Sequence, residues 1–311
     1  MNRIAGFILL AAVALTSVLA LSGCSAGRLA AYADPEKYSV GEAEITDRIE
    51  NIEIDWISGS VKMVLHSDDA LLLTEKAKRE LPEELRVHWW VEGTTLRIKF
   101  AAPGANLVGV DTGRKELTLA VPESLTLKDI AIRTASAEID ARGLAAETID
   151  VSTASGDAEL DCAASTIKCD SASGDIKLTQ MDKAGAIGVN TASGKISARL
   201  GRADKAELAS TSGRITVAAD SIKSLWVEAV SGAVTCELAA APSECTVRTT
   251  SGRVNLALPD DADFTAEIRT TSGDFDSELA LKRSGNVYVC GSGRADMNIE
   301  TTSGDVSIRR R

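Results

Sequence analysis

Nine serines recur in a tetrapeptide close to Thr-x-Ser-Gly, and repeated hydroxyls are the first candidates for chemistry in this chain. They are Ser136, Ser155, Ser173, Ser193, Ser212, Ser231, Ser251, Ser272 and Ser303. A nucleophilic serine needs a base that sets it apart from its neighbours. The chain has only two histidines, His66 and His88, and both precede the repeat, so the copies read as structural. A stacked column of inward hydroxyls would satisfy backbone groups at a bend. Ser165-Thr166-Ile167-Lys168 fits S-x-x-K, but that spacing serves acylation on a helix, where both side chains share one face. Here it spans a turn into a strand, with Lys168 pointing outward. Ser193-Gly194-Lys195 is no phosphate loop, because Gly188 lies one residue too far upstream for G-x-x-x-x-G-K.

The remaining polar residues point to no metal and no cofactor. Two histidines exclude a His-rich site, no C-x-x-C offers a zinc spacing, and the calcium nonapeptide G-G-x-G-x-D is absent. Asp157 and Asp175 would occupy adjacent layers, which raises a paired-carboxylate site for polysaccharide cleavage or a calcium site. The equivalent positions elsewhere carry Lys195, Arg214, Ala233, Arg253 and Asp274, so a solvated face of mixed sign is the reading preferred. With 34 Lys+Arg against 45 Asp+Glu the formal charge is -11, which argues against nucleic acid as a partner.

One cysteine carries a different chemistry. Met1–Leu21 has Arg3 as its only charge, followed by an uninterrupted run from Ile4. Leu21-Ser22-Gly23-Cys24 closes it and resembles a bacterial lipobox, in which cleavage before the cysteine frees a thiol for lipid transfer. Residues 1–23 are then a signal peptide, Cys24 the lipidated residue, and 24–41 a linker. Two or three acyl chains give a durable membrane anchor, and the rest of the chain lies outside the cytoplasm. Five cysteines remain. Cys162, Cys169, Cys236 and Cys245 fall at inward positions, and disulfides Cys162–Cys169 or Cys236–Cys245 stay open, with Cys290 left over.

The elements that position these residues follow from the repeat itself. Its glycines are Gly156, Gly174, Gly194, Gly213, Gly232, Gly252, Gly273 and Gly304, at intervals of 18, 20, 19, 19, 20, 21 and 31 residues. Counting back 7, 5 and 3 from Gly156 gives Ile149, Val151 and Thr153; counting forward 2, 4 and 6 from Gly213 gives Ile215, Val217 and Ala219. Each arm alternates with period 2, as a half-buried strand does. The phase slips once at the Ser-Gly corner, where glycine suits a bend by its backbone angles. Nineteen residues cannot bury both faces alone, so the units must stack. The prediction is an all-β, single-chain β-solenoid, a right-handed parallel β-helix with rungs of about 19 residues. Residues 128–311 form the regular solenoid, continuous with a less regular β region at 42–127. There Ile52–Leu65 fits the corner template with Trp56 in place of Thr. Leu71–Glu75 reads as a strand before an irregular excursion, and 86–91 with 95–100 as a hairpin. Val287–Cys290 and Gly291-Ser292-Gly293 read as an inserted hairpin before the last corner.

These residues carry a resemblance. Thr153–Asp157, Ser171–Asp175, Thr270–Asp274 and Thr301–Asp305, with the lead-in segments Glu92–Ile98 and Leu117–Pro122, are similar to the bacterial β-strand-repeat family catalogued as "putative adhesin", a domain of unknown function. The resemblance covers about 42–309. It implies a secreted, lipid-anchored or membrane-tethered protein at the cell surface or outer membrane, and it carries no catalytic residue over. The function expected is non-enzymatic surface binding, with a surface glycan or envelope protein as partner. An envelope-stress regulatory or scaffolding role is the alternative, and a polysaccharide-acting enzyme the third.

Overall fold

The structure is a computed structural model that describes residues 29–108 and 115–311. The signal peptide expected at 1–23 and the lipidation expected at Cys24 lie outside the described residues. The chain divides into two compact units: Met1–Cys162 with Asp170–Gly174, and Ala163–Cys169 with Asp175–Arg311. The fold is all-β. Among the described residues the only helical turns are two short 3-10 turns, Pro35–Lys37 and Glu83–Leu85.

The first unit holds β1 (Ser39–Val40), β2 (Ala43–Ile45), β3 (Asn51–Trp56), β4 (Ser60–His66), β5 (Leu71–Lys76), β6 (His88–Glu92), β7 (Thr95–Lys99), β8 (Glu116–Pro122), β9 (Leu127–Thr134) and β10 (Glu138–Thr153). β11 (Ala158–Ser171) contributes residues to both units. Each coil is two strands joined by a corner. The β3–β4 coil has parallel neighbours on both sides: β7 and β9 flank β3, while β8 and β10 flank β4. Inward residues line up in files such as Ile98, Ile54, Ile132 and Val151, all fully buried. The irregular amino-terminal region is a cap. β6 closes β7 and β5 closes β8, both antiparallel, and the very short β1 and β2 then cover β6 and β5. A two- or three-residue edge strand offers little template for unwanted pairing. The hairpin expected at 86–100 is β6–β7. The strand expected at 71–75 is β5, and the excursion after it ends in the Glu83–Leu85 turn.

The second unit continues with β12 (Ile176–Thr191), β13 (Ile196–Ser210), β14 (Ile215–Ala229), β15 (Val234–Leu238), β16 (Glu244–Ser251), β17 (Val254–Leu258), β18 (Phe264–Ser272), β19 (Phe275–Ser277), β20 (Lys282–Ser284), β21 (Val287–Cys290), β22 (Ala295–Ser303) and β23 (Val306–Arg310). Stacking is parallel and in register. Val189, Leu208, Val227, Val247, Ile299 and Ile268 form one inward file. Ile176, Ile196, Ile215, Val234, Val254, Val306 and Phe275 form another.

Within the second unit stacking in chain order holds as far as β17 and then breaks; in the first unit the β3–β4 coil already lies between β7–β8 and β9–β10, both later in the chain. β22 pairs with β16 on one side and β18 on the other; β23 likewise lies between β17 and β19. The last coil of the sequence is therefore the last but one in space. The 31-residue interval before Gly304 contains the expected hairpin, which lays β21 antiparallel on the free edge of β18 with β20 behind it. Covering that edge before the chain returns protects an otherwise open strand.

Candidate binding surface

The corners are built differently from the expectation. All nine serines are exposed, not inward. The phase slip falls two residues earlier, so that the residue before each serine and the serine itself both face out, and the glycine position returns inward. The buried hydroxyl belongs to the Thr or Ser three residues before the glycine. Thr153, Ser171, Thr191 and Ser210 accept from the N–H of Gly156, Gly174, Gly194 and Gly213 at 3.0, 2.7, 3.0 and 2.7 Å. The same hydroxyls can reach the adjacent coil: Ser210 donates to the Gly194 carbonyl at 3.3 Å, Thr249 to Gly232 at 3.3 Å and Thr301 to Gly252 at 3.3 Å. Exposed Ser136 and Ser155 donate outward to the carbonyls of Ile57 and Ala135, at 3.2 and 3.3 Å.

The reason for glycine also differs. None of the corner glycines from Gly156 to Gly304 has a positive φ; what they lack is room. A Cβ on Gly174, Gly213, Gly232 or Gly252 would lie under 3.0 Å from the carbonyl of the glycine below it. Gly304 meets Gly252 in the same way, and Gly273 meets Gly304, which repeats the permuted coil order. Ala137 takes the corner at the start of this file and is buried.

The outward charges are paired between coils. Asp175 accepts from the Lys195 N–H at 2.8 Å and lies 3.7 Å from its ammonium; Asp204 meets Lys223 at 2.6 Å and Arg253 meets Asp305 at 3.0 Å. Among the described residues no cluster of three or more His, Cys, Asp or Glu could hold a metal. Ser165 and Lys168 lie on strand β11, not on a helix. His88 Nδ1 lies 2.9 Å from the Arg86 carbonyl and His66 Nδ1 3.6 Å from Asp68.

All five described cysteines are buried and free, so neither open disulfide is formed. Burial pushes the Cys162 and Cys245 thiols up to about 12, and Cys236 well up. Such thiols behave as small apolar side chains.

Two groups in the first unit were missed in the sequence. Lys115, with only 3% of its side chain exposed, meets Glu75 at 2.7 Å and donates to the carbonyls of Leu85, at 2.6 Å, and Phe100. Its ammonium lies 4.8 Å from the Trp56 ring centre and 4.2 Å from that of Phe100. Desolvation by burial brings it down to about 8, against the pull of Glu75. The second is a cleft of about 410 Å³ on the outer face of the first unit, between Leu29–Tyr32 and the side chains of Ile57, Lys99, Phe100 and Arg133. The segment lining it is tied down. Leu29 exchanges backbone bonds with Ala105 and Gly104 at 3.1 and 3.2 Å, and the Tyr32 hydroxyl donates to Ala101 at 3.3 Å. Tyr38 packs edge-on against Trp90 at 5.7 Å. One signal was available: two of the three tyrosines in a chain poor in aromatics fall in the presumed linker 24–41.

Residues 49–309, which hold the repeat, are matched by one family model, described as Toastrack DUF4097. The chain belongs to this Toastrack family. No curated protein matches it. Among solved structures, the Toastrack chain is similar to a "putative adhesin" from Parabacteroides distasonis. Identity there is 13% and TM-score 0.50, over 88% of this chain and 97% of that one. A "putative adhesin" from Parabacteroides merdae is similar at 11% identity and TM-score 0.48, over 88% and 96%. At such identity the likeness speaks for the fold alone. No helix among the described residues is long and apolar enough to cross a membrane.

Proposed function

We propose that this Toastrack protein is a lipid-anchored, extracytoplasmic protein that binds partners through its surface and performs no catalysis. The observation that carries the reading is the use of the repeated hydroxyls. The buried ones close backbone bonds at the corners, and the exposed corner serines Ser136 and Ser155 donate to backbone carbonyls; exposed Ser292, which donates to the Asp263 carboxylate at 2.6 Å, lies outside the corner series. What varies from coil to coil is the outward charge, set on a rigid lattice, as a repeat protein presents a binding face. The neighbours solved as "putative adhesin" agree with that use of the fold. The lipobox ending at Cys24 supports an anchor, and two or more acyl chains would make it durable.

The anchor is tested by growing cells with an alkyne-tagged fatty acid and comparing wild type with Cys24→Ala. Labelling and membrane retention of the wild type, both lost in the variant, are the expected result. Equal labelling of the two, or none of either, contradicts the anchor. The binding role is tested with the purified Cys24→Ala chain on cells and on glycan arrays, where saturable binding without turnover is expected and substrate cleavage would overturn it.

A further inference from the structure

The cleft beneath Leu29–Tyr32 has the shape and charge of a ligand site that the surface-binding role does not use. Its size, about 410 Å³, falls in the range of small-molecule pockets, about 300–1,000 Å³. Leu29, Ala31, Tyr32, Ile57 and Phe100 give it apolar walls. Three charged side chains border it, Asp55, Lys99 and Arg133, and their sum is one positive charge.

The three charges are not equivalent. Lys99 is engaged with Asp55 Oδ2, and both side chains are only 16% exposed. Arg133 is 41% exposed, and its nearest acid atom, Asp55 Oδ1, is 3.7 Å away, beyond hydrogen-bond distance. The guanidinium therefore keeps donors for an incoming anion, and its planar fork suits a carboxylate. One apolar slot beside one available cation matches a ligand with one chain and one negative head. A sugar would need a ring of donors and acceptors, whereas of the polar side chains here Tyr32 is bonded to Ala101 and Asp55 and Lys99 are engaged with each other.

We propose that this cleft binds a free long-chain fatty carboxylate, with the alkyl chain against Tyr32, Ile57 and Phe100 and the carboxylate on Arg133. The site does not depend on the anchor, so it is tested in the full chain carrying Cys24→Ser, which has no acyl group of its own. The probe is cis-parinaric acid, whose fluorescence rises in an apolar site, with palmitate as competitor. Saturable binding of one probe per chain and displacement by palmitate are expected. Arg133→Glu, a half-exposed position, should weaken palmitate at least tenfold, and Ala31→Trp should block the probe by filling the slot. Cetyltrimethylammonium, with the same chain and the opposite charge, should bind poorly to wild type and better to Arg133→Glu. Absence of saturable binding overturns the proposal. So does equal affinity for palmitate and cetyltrimethylammonium, or tighter binding of a lysophospholipid than of palmitate. Circular dichroism of each variant shows whether it is folded. Loss of lipid labelling at Cys24 in the separate anchor experiment would leave these results unchanged.

Discussion

Ser210 shows how one hydroxyl serves two coils. It is fully buried, accepts from the Gly213 N–H at 2.7 Å and donates to the Gly194 carbonyl at 3.3 Å. Its counterpart one coil on is Ala229, opposite Ser210 in register and equally short of solvent, which has no hydroxyl to offer Gly232. Ser210→Ala should lower stability by about 1–3 kcal/mol, since a buried donor loses its acceptor, whereas Ala229→Ser should raise it by about 1 kcal/mol. Urea denaturation of both variants checks the pair, and like signs would contradict the assignment. Lys115 makes a pH-dependent case. Burial holds its ammonium down at about 8, below the ordinary lysine value of 10.5; Arg86 pushes the same way, and Glu75 opposes. Between those values the unfolded chain binds the extra proton, so stability rises with pH through that window and is flat below it. Relative to Lys115→Met, wild type should gain about 3 kcal/mol from pH 8 to 10.5. A constant difference between the two proteins across that range would contradict it. At this scale the sequence revealed which arm positions face inward, because period 2 is visible in every unit. It did not reveal where the slip falls. Thr and Ser both carry hydroxyls at constant distances from the glycine, and only coordinates show which one turns in.

The elements stack by likeness, and likeness does not encode order. The β22–β23 coil carries Thr301-Thr302-Ser303-Gly304 and is as compatible with the Thr249–Gly252 corner as the Thr270–Gly273 coil is. The repeated corner read along the chain gives no sign of order, and β22 and β23 slip between their predecessors just as β3 lies between β7 and β9. The longer interval before Gly304 was the visible trace of this return. Cross-linking distinguishes the two orders. Asn255 and Ser307 are opposite one another, and the Ser307 hydroxyl donates to Asn255 Oδ1 at 2.8 Å. The double variant Asn255→Cys, Ser307→Cys should oxidise readily to a disulfide, since paired parallel residues fall within the usual Cα separation. Asn255→Cys with Asp276→Cys should not, because β23 stands between β17 and β19. The reverse pattern on mass spectrometry would restore chain order.

In both units the coils lie so close at the corners that backbone meets backbone. The aliphatic inward files follow from stacking like coils on one another, and they were legible from composition and period. The cleft was not, because it forms only when Leu29–Tyr32 docks on residues far away in sequence. Two glycines of the second unit put this close packing to the test. Gly213 has its neighbour's carbonyl under 3.0 Å from where a Cβ would stand, and Gly188, on β12, has nothing within 4 Å. Urea unfolding of the full chain should show Gly213→Ala destabilised by about 3 kcal/mol through overpacking. Gly188→Ala should stay within about 1 kcal/mol of wild type, on the stabilising side. Equal effects of the two substitutions, or a silent Gly213→Ala, would contradict the close stacking on which the fold rests.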